Sequence, residues 1–234
     1  MVDATTLPVP LAHEVLAAVL QVRAGSLQVL LWERAREPHA HRWSLPGGRL
    51  GGGEDVESSI KRQLAEKVDV RQLSHVEQLA VFSAPLRVPD ERVVATAFLG
   101  LVPSDVDPDV PDDTRWHPLD SLPETAFDHE SIVVRARDRL RAKLSYTNLG
   151  FALAPPAFTV SALRELYSAA LGYKVSATNL QRVLARRGLL EPTGDTAAPG
   201  RAGGRPAALF KFTDRGMQVT DPFAVLRPPA AKSR

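Results

Sequence analysis

Five of the seven residues from Gly47 to Gly53 are glycine, and a proline precedes them. Glycine loses the most backbone freedom on folding and has no side chain to pack, so this stretch reads as a loop that cannot lie inside a helix or strand. The next segment is its opposite. From Asp55 onward the apolar residues Val56, Ile60, Leu64 and Val68 recur every four positions, with Glu57, Lys61 and Ala65 between them. That period puts them on one stripe of an amphipathic helix. A glycine loop feeding directly into a helix is therefore the fixed point around which the rest of the chain must fold.

The segments on either side read as strands. VLAAVLQVR and LQVLLWER flank Ala24-Gly25-Ser26, the pattern of a hairpin. Residues 36–42 are polar and read as a loop. Leu79–Phe82 and Arg92–Val102 read as two more strands, and residues 103–113 as a Pro/Asp loop. A last short element begins at Trp116. A helix from about residue 129 to 145 carries Ile132, Val133, Ala136, Leu140 and Leu144 on one face. Strands and helices mixed in this way predict an α+β front half.

The back half has a different pattern. Thr159 can cap a helix through Leu171 that Gly172 ends. Ser176 can cap a second helix through about Arg187 that Gly188 ends. Leu189-Leu190, a Gly/Pro-rich loop over residues 194–206, and Ala208–Phe212 then read as a β-hairpin. Helix, turn, helix and hairpin make a winged helix-turn-helix. The boundary falls near Leu153–Ala157. Residues 1–10 read as a flexible lead, 11–150 as the first domain, 151–220 as the second and 221–234 as a tail.

Charge separates the same two halves. Residues 1–150 hold 17 Lys and Arg against 22 Asp and Glu, whereas residues 151–234 hold 12 against 5. A basic module points to a polyanionic partner. In the second helix Leu180, Val183 and Leu184 face inward, leaving Thr178, Asn179, Gln181, Arg182 and Arg186 outward. Asn and Gln suit adenine edges, and Arg suits guanine or phosphate. Lys174, Ser176, Arg187, Arg205 and Lys211 complete the candidate DNA contacts, with Arg205 at the wing tip suited to a minor groove. The chain has no cysteine, which excludes disulfides, thiolate metal sites and a cysteine nucleophile. Its start lacks a secretory leader pattern and no apolar run reaches about 18 residues, so a cytoplasmic protein without a membrane span is expected.

Gly48, Glu54, Arg62, Leu64, Glu66 and Val70 stand at the spacings of the Nudix box, which this segment resembles. Nudix enzymes cleave a diphosphate joined to another moiety with Mg²⁺ or Mn²⁺, and hard cations need clustered oxygen ligands. Carboxylates at i, i+3 and i+4 of a helix would share a face for that purpose. Here those positions hold Gln63, Glu66 and Lys67, and Asp69 replaces the final glycine of the box. Gln63 is no base, and Lys67 places a cation where a dication would sit. Family-type hydrolysis is expected to be lost; no catalytic residue is assigned and no cofactor is required. Glu54, Glu57 and Glu66 are the carboxylates left to gather a metal weakly. Glu54 is expected to pair with Arg62. Arg49 and Arg92 are candidate diphosphate contacts, and Trp43 either stacks on a base or packs in the core. The six histidines show no metal spacing; His129, in Phe127-Asp128-His129, is the one singled out.

The blocks WSLPGGRL, DERVVATAFLGL, AFDH, AFTVSALRELYSAALG, TNLQRVLARRGLL and GRPAALFKF, in this order, resemble the NrtR family, the Nudix-related transcriptional regulators of NAD metabolism. The resemblance covers about residues 11–215. It implies a Nudix-like α/β/α sandwich with a mixed sheet joined to a winged helix. It also implies a homodimer on a palindromic operator near NAD biosynthesis or salvage genes, and release of the DNA by ADP-ribose or a related metabolite. An active Mg²⁺-dependent ADP-ribose or nucleoside-diphosphate hydrolase is the alternative reading, and a winged helix used for protein contact is a third.

Overall fold

The computed structural model describes residues 10–68, 70, 72–197 and 206–221. Most of the expected lead and tail, Asp69 and the wing-tip Arg205 lie outside the described residues. In chain order the elements are β1 (Ala12–Arg23), β2 (Ser26–Glu33), β3 (Trp43–Ser44), β4 (Gly47–Arg49), α1 (Val56–Lys67), β5 (His75–Phe82), β6 (Val93–Leu101), β7 (Thr114–Pro118), α2 (His129–Tyr146), α3 (Val160–Leu171), α4 (Ala177–Arg186), β8 (Leu190–Thr196) and β9 (Ala208–Phe212).

These elements form two compact units. Of the described residues, the first unit takes in those up to 20, then 28–101 and 107–137; the second takes in 21–27, 102–106 and 138 onward. The expected boundary near residue 150 lies within the second unit's last stretch. The hairpin β1–β2 and the 18-residue helix α2 are longer than the first unit's share of them.

In the first unit the strands run β3-β2-β1-β6-β5, with β4 paired to β1 and β7 to β2. β1 and β6 are parallel, from Ala12↔Val93 to Leu20↔Leu101, while β4 and β7 join antiparallel. The sheet is mixed, as expected for the α+β class. Every residue from Val15 to Leu20 is at most 3% exposed. Side chains alternate faces along a strand, so unbroken burial means that both faces of β1 are covered. The apolar stripes of the unit's helices are buried as well: Ile60 and Leu64 on α1, Ile132, Val133 and Ala136 on α2. Burying each Ile, Leu or Val side chain among them is worth about 1.5–3 kcal/mol.

α1 begins where Asp55 turns its carboxylate back to accept the Ser58 N–H at 2.7 Å, satisfying one of the free N–H groups of a helix start. The helix ends at Lys67, with Val68 as its cap rather than its last turn, although Val68 is still fully buried. The hairpin turn Ala24-Gly25 has φ of 47° and 78°. Positive φ at both positions is what a two-residue turn needs to match the strand twist.

The glycine run corrects one expectation. Gly47–Arg49 is not loop but strand β4, pairing with Glu14–Leu16 of β1. Gly47 is there because a Cβ would stand 2.1 Å from the Val15 carbonyl oxygen. Glycine in this strand marks a close backbone approach, not a break. The two-residue strand β3 is too short to carry a sequence period, and β5 starts at His75 instead of Leu79.

In the second unit α3 starts at Thr159, whose hydroxyl accepts the Ala162 N–H at 3.1 Å, and stops at Gly172 with φ of 78°. α4 is capped by Ser176 Oγ, which accepts from the Asn179 N–H at 3.4 Å. Leu163, Leu166, Leu180, Leu184 and Phe212 are buried, and the Phe158 and Phe212 rings lie 5.3 Å apart. β8 and β9 pair antiparallel. β8 runs through Thr196, farther into the expected Gly/Pro loop than the sequence suggests. Two capped helices followed by a hairpin are the winged-helix order.

Candidate effector cavity and nucleic-acid interface

A cavity of about 340 Å³ opens in the first unit, within the size range of small-molecule sites. β1 contributes Glu14 and Leu16 to it, and β2 contributes Trp32 and, just past its end, Arg34 and Arg36. The backbone of Gly47 and Gly48 forms one wall with Lys67 of α1, and Phe127 and His129 close another.

The walls are fixed by buried polar contacts. Trp32 Nε1 donates to the Leu45 carbonyl at 3.1 Å, and the Leu45 N–H donates to His129 Nδ1 at 3.0 Å. His129 is buried, and that burial pulls its imidazole down to about 3. It is therefore a neutral acceptor. Arg87 is buried under the site. Its Nε and Nη2 donate bidentately to Asp128 at 2.9 and 2.6 Å, and Nη1 donates to Glu14 at 2.5 Å. The Glu14 carboxylate is thus already matched. Phe127 holds φ of 54°, and the Arg34 guanidinium lies 4.8 Å from its ring centroid, a cation–π distance. Arg34, Arg36 and Lys67 leave the cavity with an excess of positive charge.

The Nudix-like segment keeps its framework. Glu54 accepts from Arg62 Nη2 at 2.6 Å and Nε at 3.0 Å, from Ser59 Oγ at 2.8 Å and from the Gly51 N–H at 2.8 Å. The Arg62 hydrogen bonds foremost, with those of Gly51 and Ser59, hold its carboxyl at about 2. The expected Glu54–Arg62 pair is present. Glu66 turns to Arg62 Nη1 at 3.0 Å and is largely exposed. Gln63 is buried, its Nε2 reaching the Arg49 carbonyl at 3.4 Å. Lys67 Nζ donates to the Gly47 carbonyl at 2.6 Å, and burial lowers its pKa.

Several candidate residues stand elsewhere. Arg49 pairs with Glu91, and Arg92 donates to the Ser83 and Ala84 carbonyls at 3.0 and 3.3 Å. Trp43 packs edge-on against His117, with ring centroids 4.2 Å apart. None of Trp43, Arg49, Glu54, Arg62 and Arg92 lines the cavity. Sequence reasoning missed Arg34, Arg36 and Arg87, which carry no periodic signal. Only the fold brings residues 14, 34, 67, 87 and 129 together.

On α4, Thr178, Asn179, Gln181, Arg182 and Arg186 are all exposed, as are Lys174 and Ser176 before it. Arg182 Nη2 donates to Asn179 Oδ1 at 2.9 Å, orienting two of these side chains together. Arg187, a candidate phosphate contact, makes internal bonds. It donates to the Ser145 carbonyl at 2.9 Å and to Asp221 at 3.2 Å, so it ties α4 to the end of α2. Lys211 pairs with Glu191 at 3.0 Å, both about half exposed. Among the described residues no helix is long and apolar enough to cross a membrane.

The two units thus define a class: a NUDIX-type fold with a small-molecule cavity, carried in one chain with a winged helix. The family model of the NUDIX domain matches residues 12–136, and that of the NrtR DNA-binding winged helix domain matches residues 150–212. The chain is 30% identical over 202 residues to the ADPR responsive transcriptional repressor NtrR of Acinetobacter baylyi, covering 83% of this chain and 79% of that protein. The crystal structure of Shewanella oneidensis NrtR complexed with a 27mer DNA is similar at a TM-score of 0.72 and 30% identity, over 85% of this chain and 92% of that one. An ADP-ribose pyrophosphatase of Methanocaldococcus jannaschii is 31% identical over 119 residues, half of this chain and 68% of that protein. The chain belongs to the NrtR family.

Proposed function

We propose that this protein is a cytoplasmic transcriptional repressor that binds double-stranded operator DNA through its winged helix and answers to ADP-ribose, or a related nucleoside diphosphate, in its NUDIX unit. The observation that carries this reading is the pairing, in one chain, of a cation-lined cavity with a helix whose exposed face is Thr178, Asn179, Gln181, Arg182 and Arg186. The names of the Acinetobacter and Shewanella relatives support both halves. Lys174, Ser176 and Lys211 join α4 in the interface. Arg205 is proposed for the wing tip. Two copies related by a two-fold axis would meet a palindrome. NAD biosynthesis or salvage genes as targets follow from the family resemblance.

The NUDIX unit acts in this reading as a sensor and not a hydrolase. A hard dication needs several oxygen ligands, but the i, i+3 and i+4 positions of α1 supply a buried amide, a carboxylate turned to Arg62, and an ammonium. This donor set does not fit Mg²⁺ or Mn²⁺. The Methanocaldococcus relative supports the opposing reading, a working pyrophosphatase.

One experiment separates them. A salt-sensitive gel shift on palindromes beside NAD genes, repeated with ADP-ribose, NAD and ATP, should show a shift that ADP-ribose releases. No shift on any such palindrome refutes the repressor. Mg²⁺-dependent release of AMP from ADP-ribose at ordinary enzyme rates refutes the pure sensor.

A further inference from the structure

The face of α1 that would carry metal ligands meets the cavity through an ammonium. We infer, resting on the reading of this cavity as the effector site, that Lys67 replaces the divalent cation. The effector's diphosphate is then held by a direct ion pair, and effector binding needs no metal.

Four observations converge. Lys67 is an exposed residue that lines the cavity, and its bond to the Gly47 carbonyl aims Nζ along the cavity wall. An ammonium has three donors, and this bond uses one. Second, among the described residues no carboxylate lies in ion-pair range of Nζ. Glu66 is committed to Arg62, and Glu14 to Arg87. The charge is left for a ligand. Third, Gln63 Oε1 is buried without a hydrogen-bond partner. A Cβ on Gly48 would stand 2.8 Å from the Gln63 amide and 2.8 Å from Lys67 Nζ alike. The orphaned acceptor and the ammonium therefore flank the same Gly48 corner, with Lys67 on the cavity side of it. Fourth, a dication bound here would lie within a few ångströms of Nζ, where like charges repel. The same corner accepts an anion and rejects a metal.

Calorimetric titration of the full chain with ADP-ribose, in EDTA and in Mg²⁺, tests this. The expected result is the same Kd in both buffers. Lys67→Gln should weaken binding about tenfold or more in either buffer, the scale of losing a charge-assisted hydrogen bond, and Lys67→Arg should restore most of it. Lys67→Glu should bind only when Mg²⁺ is present. Thermal midpoint and operator gel shift of each variant show that it is folded. The inference is overturned if the wild type tightens tenfold or more on adding Mg²⁺, or if folded Lys67→Gln binds as tightly as wild type; both leave the sensor reading intact. A wild type that takes up no ADP-ribose in either buffer removes the sensor reading and the inference together.

Discussion

Lowering the pH from 7 to 5 should destabilise this protein by an amount set largely by one histidine. His129 is buried at the first residue of α2, and its Nδ1 accepts the Leu45 N–H at 3.0 Å. An acceptor nitrogen carries no proton, so protonation there must break the bond. Burial holds the imidazole at about 3, against an ordinary 6.5. Between those values the unfolded chain binds a proton that the folded chain refuses. The stabilisation is therefore complete above about pH 6.5 and is lost as the pH falls toward 3. Each pH unit is worth 1.36 kcal/mol. The interval from 6.5 to 5 thus costs about 2 kcal/mol, or about 4–8 °C in thermal midpoint for a chain of this length. Glu54, at about 2, does not begin to protonate in this window. The assay is a thermal melt of wild type and His129→Asn at both pH values. Asparagine keeps an acceptor for Leu45 but does not titrate, so it should escape most of the loss. His129→Leu should already be destabilised at pH 7, by about 1–3 kcal/mol, because it leaves the Leu45 N–H buried without a partner. Equal pH losses in wild type and His129→Asn would refute the assignment.

Arg87→Met removes a buried cation and leaves Glu14 and Asp128 uncompensated; urea melts should show a loss of about 3–5 kcal/mol. Gly47→Ala puts a methyl group 2.1 Å from the Val15 carbonyl oxygen, and should part β4 from β1 or prevent soluble expression. A melting curve like that of wild type would contradict the close approach. Arg182→Ala with Arg186→Ala should weaken operator binding and flatten its dependence on log salt by about 1 for each phosphate no longer neutralised, measured by fluorescence anisotropy. An unchanged slope would take α4 off the phosphates.

Local signals are legible in the sequence. The caps at Thr159 and Ser176, the terminators Gly172 and Gly188, and the apolar stripes of α1 and α2 depend on neighbours three or four residues away, and the structure carries them. The strand β4 is not legible, because what makes Gly47 a strand residue is the Val15 carbonyl more than 30 residues earlier in the chain. The cavity escapes the sequence for the same reason on a larger scale. Arg34 lies past the end of a strand and Arg87 in a connecting loop, and neither position has a period. Arg49 and Arg92 look suitable because a guanidinium matches phosphate oxygens, and in the fold Glu91 and backbone carbonyls engage them.

The glycine loop and α1 also show that one motif can hold two separable jobs. Glu54 joins Arg62, Ser59 and the Gly51 N–H, and so pins the loop to the helix. None of these contacts faces the cavity. Gln63 and Lys67, one helical turn apart, both sit beside Gly48, and Lys67 lines the cavity itself. Substitution at 63 and 67 can therefore change what the cavity holds without loosening the loop, whereas substitution at 54 or 62 would loosen the loop whatever the cavity holds. The latch requires the spacing between Glu54 and Arg62. That requirement makes the spacing a poor guide to catalysis and a good guide to fold: a chain can match it at Gly48, Glu54 and Arg62 and still place an ammonium where the chemistry would need a carboxylate.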